Sequence, residues 1–133
     1  MAIITALLFY AGCNDDSGNS LTNNNTNGNH SPGTPSNPTP SDNATNVVRF
    51  PLTLAWVCSD PDAGDTVRYD VKMANVNPPD HTLDTGLMVA SYSVPYLLAA
   101  DTVFYWRIVA KDYKGGITTG PVWRFTTGSV YQP

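Results

Sequence analysis

Between Leu52 and Ser59 the chain reads Leu-Thr-Leu-Ala-Trp-Val-Cys-Ser, and this alternation constrains the fold more than any other stretch. A period of two places Leu52, Leu54, Trp56 and Cys58 on one face of a β-strand and Thr53, Ala55, Val57 and Ser59 on the other. Trp56 stands at the centre of the first face, and an indole of that size escapes water only against a whole opposing layer. A single strand cannot supply that layer, so the rest of the chain must.

The sequence after Thr45 provides it. Val67, Tyr69, Val71 and Met73 alternate with Arg68, Asp70 and Lys72, which predicts a half-buried strand. Val103 to Lys111 predicts the longest one, with Phe104, Trp106, Ile108 and Ala110 inward and Tyr105, Arg107, Val109 and Lys111 outward. Leu87 to Val94 is β-prone up to Pro95, and Val122 to Thr127 closes the set with Trp123 and Phe125 inward. Asp60-Pro-Asp-Ala-Gly-Asp65 and Asp112-Tyr-Lys-Gly-Gly116 are turns, Asn75 to Asp84 is a loop, and Leu97 to Asp101 is a corner. Short strands at this spacing predict an all-β sandwich with an aromatic core.

Before this module the composition is different. Met1 to Gly12 is an apolar leader, too short for a bilayer-spanning helix, which needs about 20 residues. It has the length of the apolar part of a secretory signal. From Asn14 to Thr45, 29 of 32 residues are Asn, Ser, Thr, Pro, Gly or Asp. That composition predicts a disordered tether with too little apolar surface to offset its ordering entropy. Ser31 to Pro40, with four prolines, is expected to be a stiffer, partly polyproline II spacer. His30 is expected to be a solvated tail histidine.

Two resemblances follow from these residues. Tyr10-Ala-Gly-Cys13 resembles the lipobox of bacterial lipoproteins. The resemblance implies removal of residues 1–12, lipid on Cys13, a membrane partner through that lipid, and a place on the bacterial cell envelope. Pro51-Leu-Thr-Leu-Ala-Trp56, Asp60-Pro-Asp62, Tyr69-Asp-Val71, Thr102 to Asp112 and Pro121 to Thr127 together resemble a bacterial fibronectin type III domain. That resemblance covers residues 46–128 and implies an immunoglobulin-like sandwich of seven strands in two sheets. The expected organisation is a signal peptide at 1–12, a tether at 13–45, the domain at 46–128 and a short tail at 129–133. The family's corner tyrosine falls on Phe104, so its hydroxyl bond is missing here.

No catalytic constellation is evident. His81 is the module's only histidine and lies in a Pro/Asp loop, and Cys58 falls on the core face with no base nearby in sequence. Asp60, Asp62 and Asp65 put three carboxylates around a glycine, which is oxygen-ligand chemistry for calcium. The length and ligand pattern are not those of an EF-hand loop, so a plain polar turn is the first expectation, with no cofactor. Arg68, Tyr105, Arg107, Tyr113 and Arg124 form a candidate contact surface for a protein or glycan, since Tyr and Arg are enriched at interfaces. Asp70 is expected to pair with Arg107 across neighbouring strands.

The formal net charge is −4, and the seven basic residues alternate with Asp along the chain, so nucleic acid is not an expected partner. These features predict a non-enzymatic, lipid-anchored envelope module for adhesion, recognition or spacing. The competing reading is an accessory module of an extracellular polysaccharide-degrading enzyme or of a larger surface protein.

Overall fold

The computed structural model describes residues 28–130. Within them the period-two stretches become strands: β1 Ser36–Thr39, β2 Ala44–Val47, β3 Leu52–Val57, β4 Arg68–Ala74, β5 Thr82–Leu87, β6 Ser91–Val94, β7 Val103–Lys111, β8 Ile117–Thr119 and β9 Trp123–Thr127. The small sheet has the order β1-β3-β6. The large one runs β2-β9-β7-β4-β5, with β8 beside β7. The all-β, immunoglobulin-like sandwich is therefore the observed architecture, with nine strands where seven were expected.

The core lies where alternation places it. Leu52, Leu54 and Trp56 from the small sheet face Tyr69, Val71, Met73, Trp106, Ile108, Ala110, Trp123 and Phe125 from the large one, and all are buried. Trp56 meets Tyr69 edge-on across the two sheets, with ring centroids 5.3 Å apart. Trp106 and Trp123 are register partners on β7 and β9, and their rings lie 4.8 Å apart. Phe104 stacks on Phe125 at 5.7 Å. Leu98 plugs the corner, and the Arg49 side chain fixes it by donating to the Leu98 carbonyl at 2.8 Å.

Three expectations change. Residues 28–45 are not a tether here. β1 pairs antiparallel with β3, β2 pairs parallel with β9, and Pro32 and Pro35 are buried. Pro38 is tolerated because β1 is an edge strand, where a missing N–H leaves no ladder bond unmade. Asn43, where the chain crosses to the large sheet, and Asn46, at the irregularity within β2, adopt positive φ, a conformation asparagine takes more readily than most residues. The expectation for residues 13–27, the leader and Cys13 lies outside the described residues.

The second change is around β5, which begins at Thr82 inside the expected Asn75–Asp84 loop, and at Leu87–Val94, which is not one strand. It breaks at Met88–Ala90, because β5 belongs to the large sheet and β6 to the small one. The third is that β8 adds a short strand between the Asp112–Gly116 turn and β9.

Candidate functional site

Two places gather chemistry-bearing side chains. The first is the end of the sandwich where the arm at residues 29–33 meets the Asp60–Asp65 loop and the Asp112–Gly116 turn. Asp62 accepts the His30 backbone N–H on Oδ2 at 2.6 Å, and its Oδ1 lies 2.8 Å from His30 Nδ1. Asn29 Nδ2 donates to Asp112 Oδ2 at 2.9 Å, Gly33 N donates to the Ser59 carbonyl at 2.8 Å, and the Thr118 hydroxyl donates to the Pro32 carbonyl. His30 is thus not merely solvated: although exposed, it pins the arm to the loop.

The three carboxylates expected to form a cation site do converge, with one oxygen from each of Asp60, Asp62 and Asp65 within 4.8 Å of the others. Two of the three already face a cationic side chain. Lys114 Nζ lies 2.9 Å from Asp65 Oδ1, His30 sits on Asp62, and Asp60 Oδ1 caps the Asp62 N–H at 2.8 Å. The bond to Asp62 raises the His30 pKa, and the same bond lowers that of Asp62. The bond to Asp65 raises the Lys114 pKa. A calcium ion here would meet an imidazole on Asp62 and an ammonium on Asp65, while Asp60 Oδ2 and Asp65 Oδ2 are covered from solvent without a hydrogen-bond partner.

Asp112 holds the neighbouring turn. Its Oδ1 accepts the N–H groups of Lys114 at 2.7 Å and Gly116 at 2.8 Å. Desolvation pushes its pKa up, but the bonds from Asn29 and the turn amides outweigh it and the net shift is downward. Cys58 is half-buried and its thiol donates to the Gly33 carbonyl at 3.1 Å. Desolvation raises its pKa, which disfavours the thiolate a nucleophile needs.

The second place is the outer face of the large sheet. Alternation along β4, β7 and β9 gathers Arg68, Lys72, Arg107, Lys111 and Arg124 there, five of the seven basic residues. Basic residues scattered in sequence are therefore neighbours in space. Asp70 does not pair with Arg107. It lies opposite Val109, binds Lys111 Nζ through Oδ2 and accepts the Gly86 N–H through Oδ1. Arg107 instead lies opposite Lys72.

The five residues of the expected contact surface divide into two groups. At one end Arg68 lies over the Tyr113 ring, 4.8 Å from its centroid, bonds its hydroxyl, and donates to the Gly86 carbonyl at 3.2 Å. At the other end Tyr105 lies opposite Arg124, with Arg107 two residues along the same face. Here an open cleft of about 300 Å³ is lined by Asp42, Asn43, Asn77, Tyr105, Val122 and Arg124. Arg124 Nε donates to Asn43 Oδ1 at 2.6 Å, and Arg124 N donates to Asp42 Oδ1 at 2.9 Å. Sequence reasoning missed Asp42 and Asn43 because they sit in the polar segment before the module. Only the Asp42-Asn43 pair, a turn signal, marked the spot.

Comparison with known proteins leaves the family open. No family model matches the chain, and no curated protein does. Among solved structures, the crystal structure of Streptomyces avermitilis α-L-rhamnosidase complexed with L-rhamnose is similar at 18% identity and a TM-score of 0.50. The match covers 74% of this chain and 10% of the rhamnosidase chain. At that identity the likeness is one of fold: this chain shares a β-sandwich architecture with a small part of a glycoside hydrolase.

Proposed function

We propose that the chain is a non-catalytic module of fibronectin type III character, carried on a bacterial cell envelope by lipid on Cys13 and serving adhesion, recognition or spacing. The observation that carries this reading is the division of labour across the large sheet. Its inner face is filled by packed rings, and its outer face presents arginines, lysines and Tyr105. A surface of that kind suits contact, since Tyr and Arg supply much of the binding energy at interfaces. The raised pKa of Cys58 and its bond to Gly33 add support, because they disfavour nucleophilic chemistry at that thiol. The leader and the small residues before Cys13 support the anchor.

The test is mass spectrometry of the protein recovered from the membrane fraction. The proposal expects an N-terminal Cys13 bearing acyl chains; an unprocessed, unlipidated chain in the soluble fraction contradicts it. Turnover of any substrate by the purified protein contradicts the non-catalytic part.

A second reading has one observation in its favour. The structural likeness is to part of a glycoside hydrolase, which fits an accessory module of an extracellular polysaccharide-degrading enzyme. A gene product that continues past Pro133 into a catalytic domain would select this alternative.

A further inference from the structure

The outer face of the large sheet contains an arrangement that folding alone does not favour. Lys72 on β4 and Arg107 on β7 are direct register partners. Partners of this kind hold their Cβ atoms about 5 Å apart, and like charges placed so destabilise a sheet. Every other cation on this face has a partner. Arg68 has Tyr113 and Gly86, Lys111 has Asp70, and Arg124 has Asn43. The side chains of Lys72 and Arg107 have no hydrogen bond or ion pair among the described residues, and Arg107 Nε is covered from solvent without an acceptor. Asp70, two residues from Lys72 on β4, is already bound to Lys111 and Gly86 N.

Beside this pair lies the cleft. Tyr105 is two residues from Arg107 on the same face, a spacing of about 7 Å in a strand. The Tyr105 ring offers a flat apolar surface, and Asp42, Asn43 and Asn77 around it offer carboxylate and amide groups, the partners that sugar hydroxyls take. Two unpaired cations next to an aromatic ring rimmed by amides match a ligand that is hydroxylated on one side and carboxylated on the other.

We propose that Lys72, Arg107 and Tyr105 form a binding site for an acidic sugar unit of a polysaccharide. Its carboxylate lies between the Lys72 ammonium and the Arg107 guanidinium, and its ring rests in the cleft against Tyr105. A guanidinium beside an ammonium satisfies both carboxylate oxygens, and the bound anion turns the repulsion between the two cations into attraction. The inference rests on the reading of the chain as a recognition module and names the ligand class for it.

The test is calorimetric titration of the full chain with oligogalacturonate, with the same oligomer methyl-esterified, with a single-stranded oligonucleotide and with anionic lipid vesicles. The free acid binds, and the ester, which keeps the ring and loses the charge, binds about tenfold more weakly or not at all. Lys72→Glu and Arg107→Gln each weaken binding by about tenfold or more. Lys72→Glu at the same time leaves the melting temperature unchanged or raised, because it places opposite charges face to face. Tyr105→Ala weakens binding of the acid while circular dichroism shows the sandwich intact.

Equal affinity for acid and ester, no response to Lys72→Glu, or tighter binding of the oligonucleotide or the vesicles overturns the site. Capture of neutral glycans alone sinks the acidic-sugar assignment and leaves the recognition reading standing. Cleavage of the oligosaccharide during the titration sinks the recognition reading itself.

Discussion

The interior of the sandwich and the arm at residues 29–47 are held by different physics. The interior is a dry stack of rings and branched side chains in which Leu54, Trp106, Ile108 and Phe125 are completely covered. The arm has almost no large apolar side chain. It is fixed by strand pairing of β1 with β3 and β2 with β9, by polar bonds from Asn29, His30, Gly33 and Pro32, and by two buried prolines. Burial is non-directional and tolerates repacking, whereas the arm depends on individual geometries and on close backbone approach. The first kind of order collapses when volume is lost, and the second when one atom is added.

The largest effect is therefore expected in the interior. Trp106→Ala removes a fully buried indole and should cost about 3–5 kcal/mol, a large share of the total stability of a domain this size, measurable by denaturant unfolding. A loss below about 1 kcal/mol would break the contrast, because it would mean the rings are not a close-packed core. Next comes Gly116→Ala. A Cβ there would stand 2.2 Å from Asp112 Oδ2 and 2.8 Å from the Ser31 Cα, so turn and arm cannot both stay in place. About 1–3 kcal/mol should be lost, with the arm becoming open to protease before the sandwich unfolds. Simultaneous loss of arm and core would show instead that the two form one cooperative unit.

What was legible in the sequence follows the same line. Strands that bury one face announce themselves by alternation, as β3, β4, β7 and β9 do with Trp56, Tyr69, Trp106 and Phe125. The arm's strands carry no such pattern. Asn, Ser, Thr and Pro read as a solvated spacer, because what orders them is remote: β1 pairs with β3, β2 with β9, and Asn29, His30 and Gly33 bond to Asp112, Asp62 and Ser59. The outer face was half-legible. Tyr105, Arg107 and Arg124 could be assigned to one side of their strands, but register decides partners. A single string cannot reveal that Arg107 meets Lys72 rather than Asp70. Asp42 and Asn43 reach the Tyr105 cleft only through the parallel pairing of β2 with β9.

A smaller effect separates the arm's polar latch from the pH-insensitive interior. The His30 pKa is raised, so its contribution is complete below the ordinary histidine value and fades as pH rises through the raised one. The Asp62 pKa is lowered, so its contribution is complete above the ordinary carboxyl value and fades as pH falls through the lowered one. The latch is strongest between about pH 4 and pH 6.5, the ordinary values of the two groups. Nuclear magnetic resonance titration of the His30 ring should give a midpoint above that of a free histidine, and Asp62→Asn should bring it back. An unshifted midpoint in the parent chain would mean that the latch is not formed.

The smallest response is expected from calcium. Lys114 and His30 already sit on Asp65 and Asp62, so titration with calcium should give neither heat nor a shift in melting. Binding in the micromolar range would show that the two cations yield to the metal and that the turn is a cation site.

The arm is part of the sandwich rather than a spacer in front of it. Hydrogen exchange of the full chain addresses this through one amide, that of Gly33, which donates to the Ser59 carbonyl at 2.8 Å. The structure predicts that this amide exchanges far more slowly than an unstructured glycine, though faster than the amides of β4 and β7. Exchange at the rate of a free chain would contradict the account and return residues 28–45 to the role of a tether.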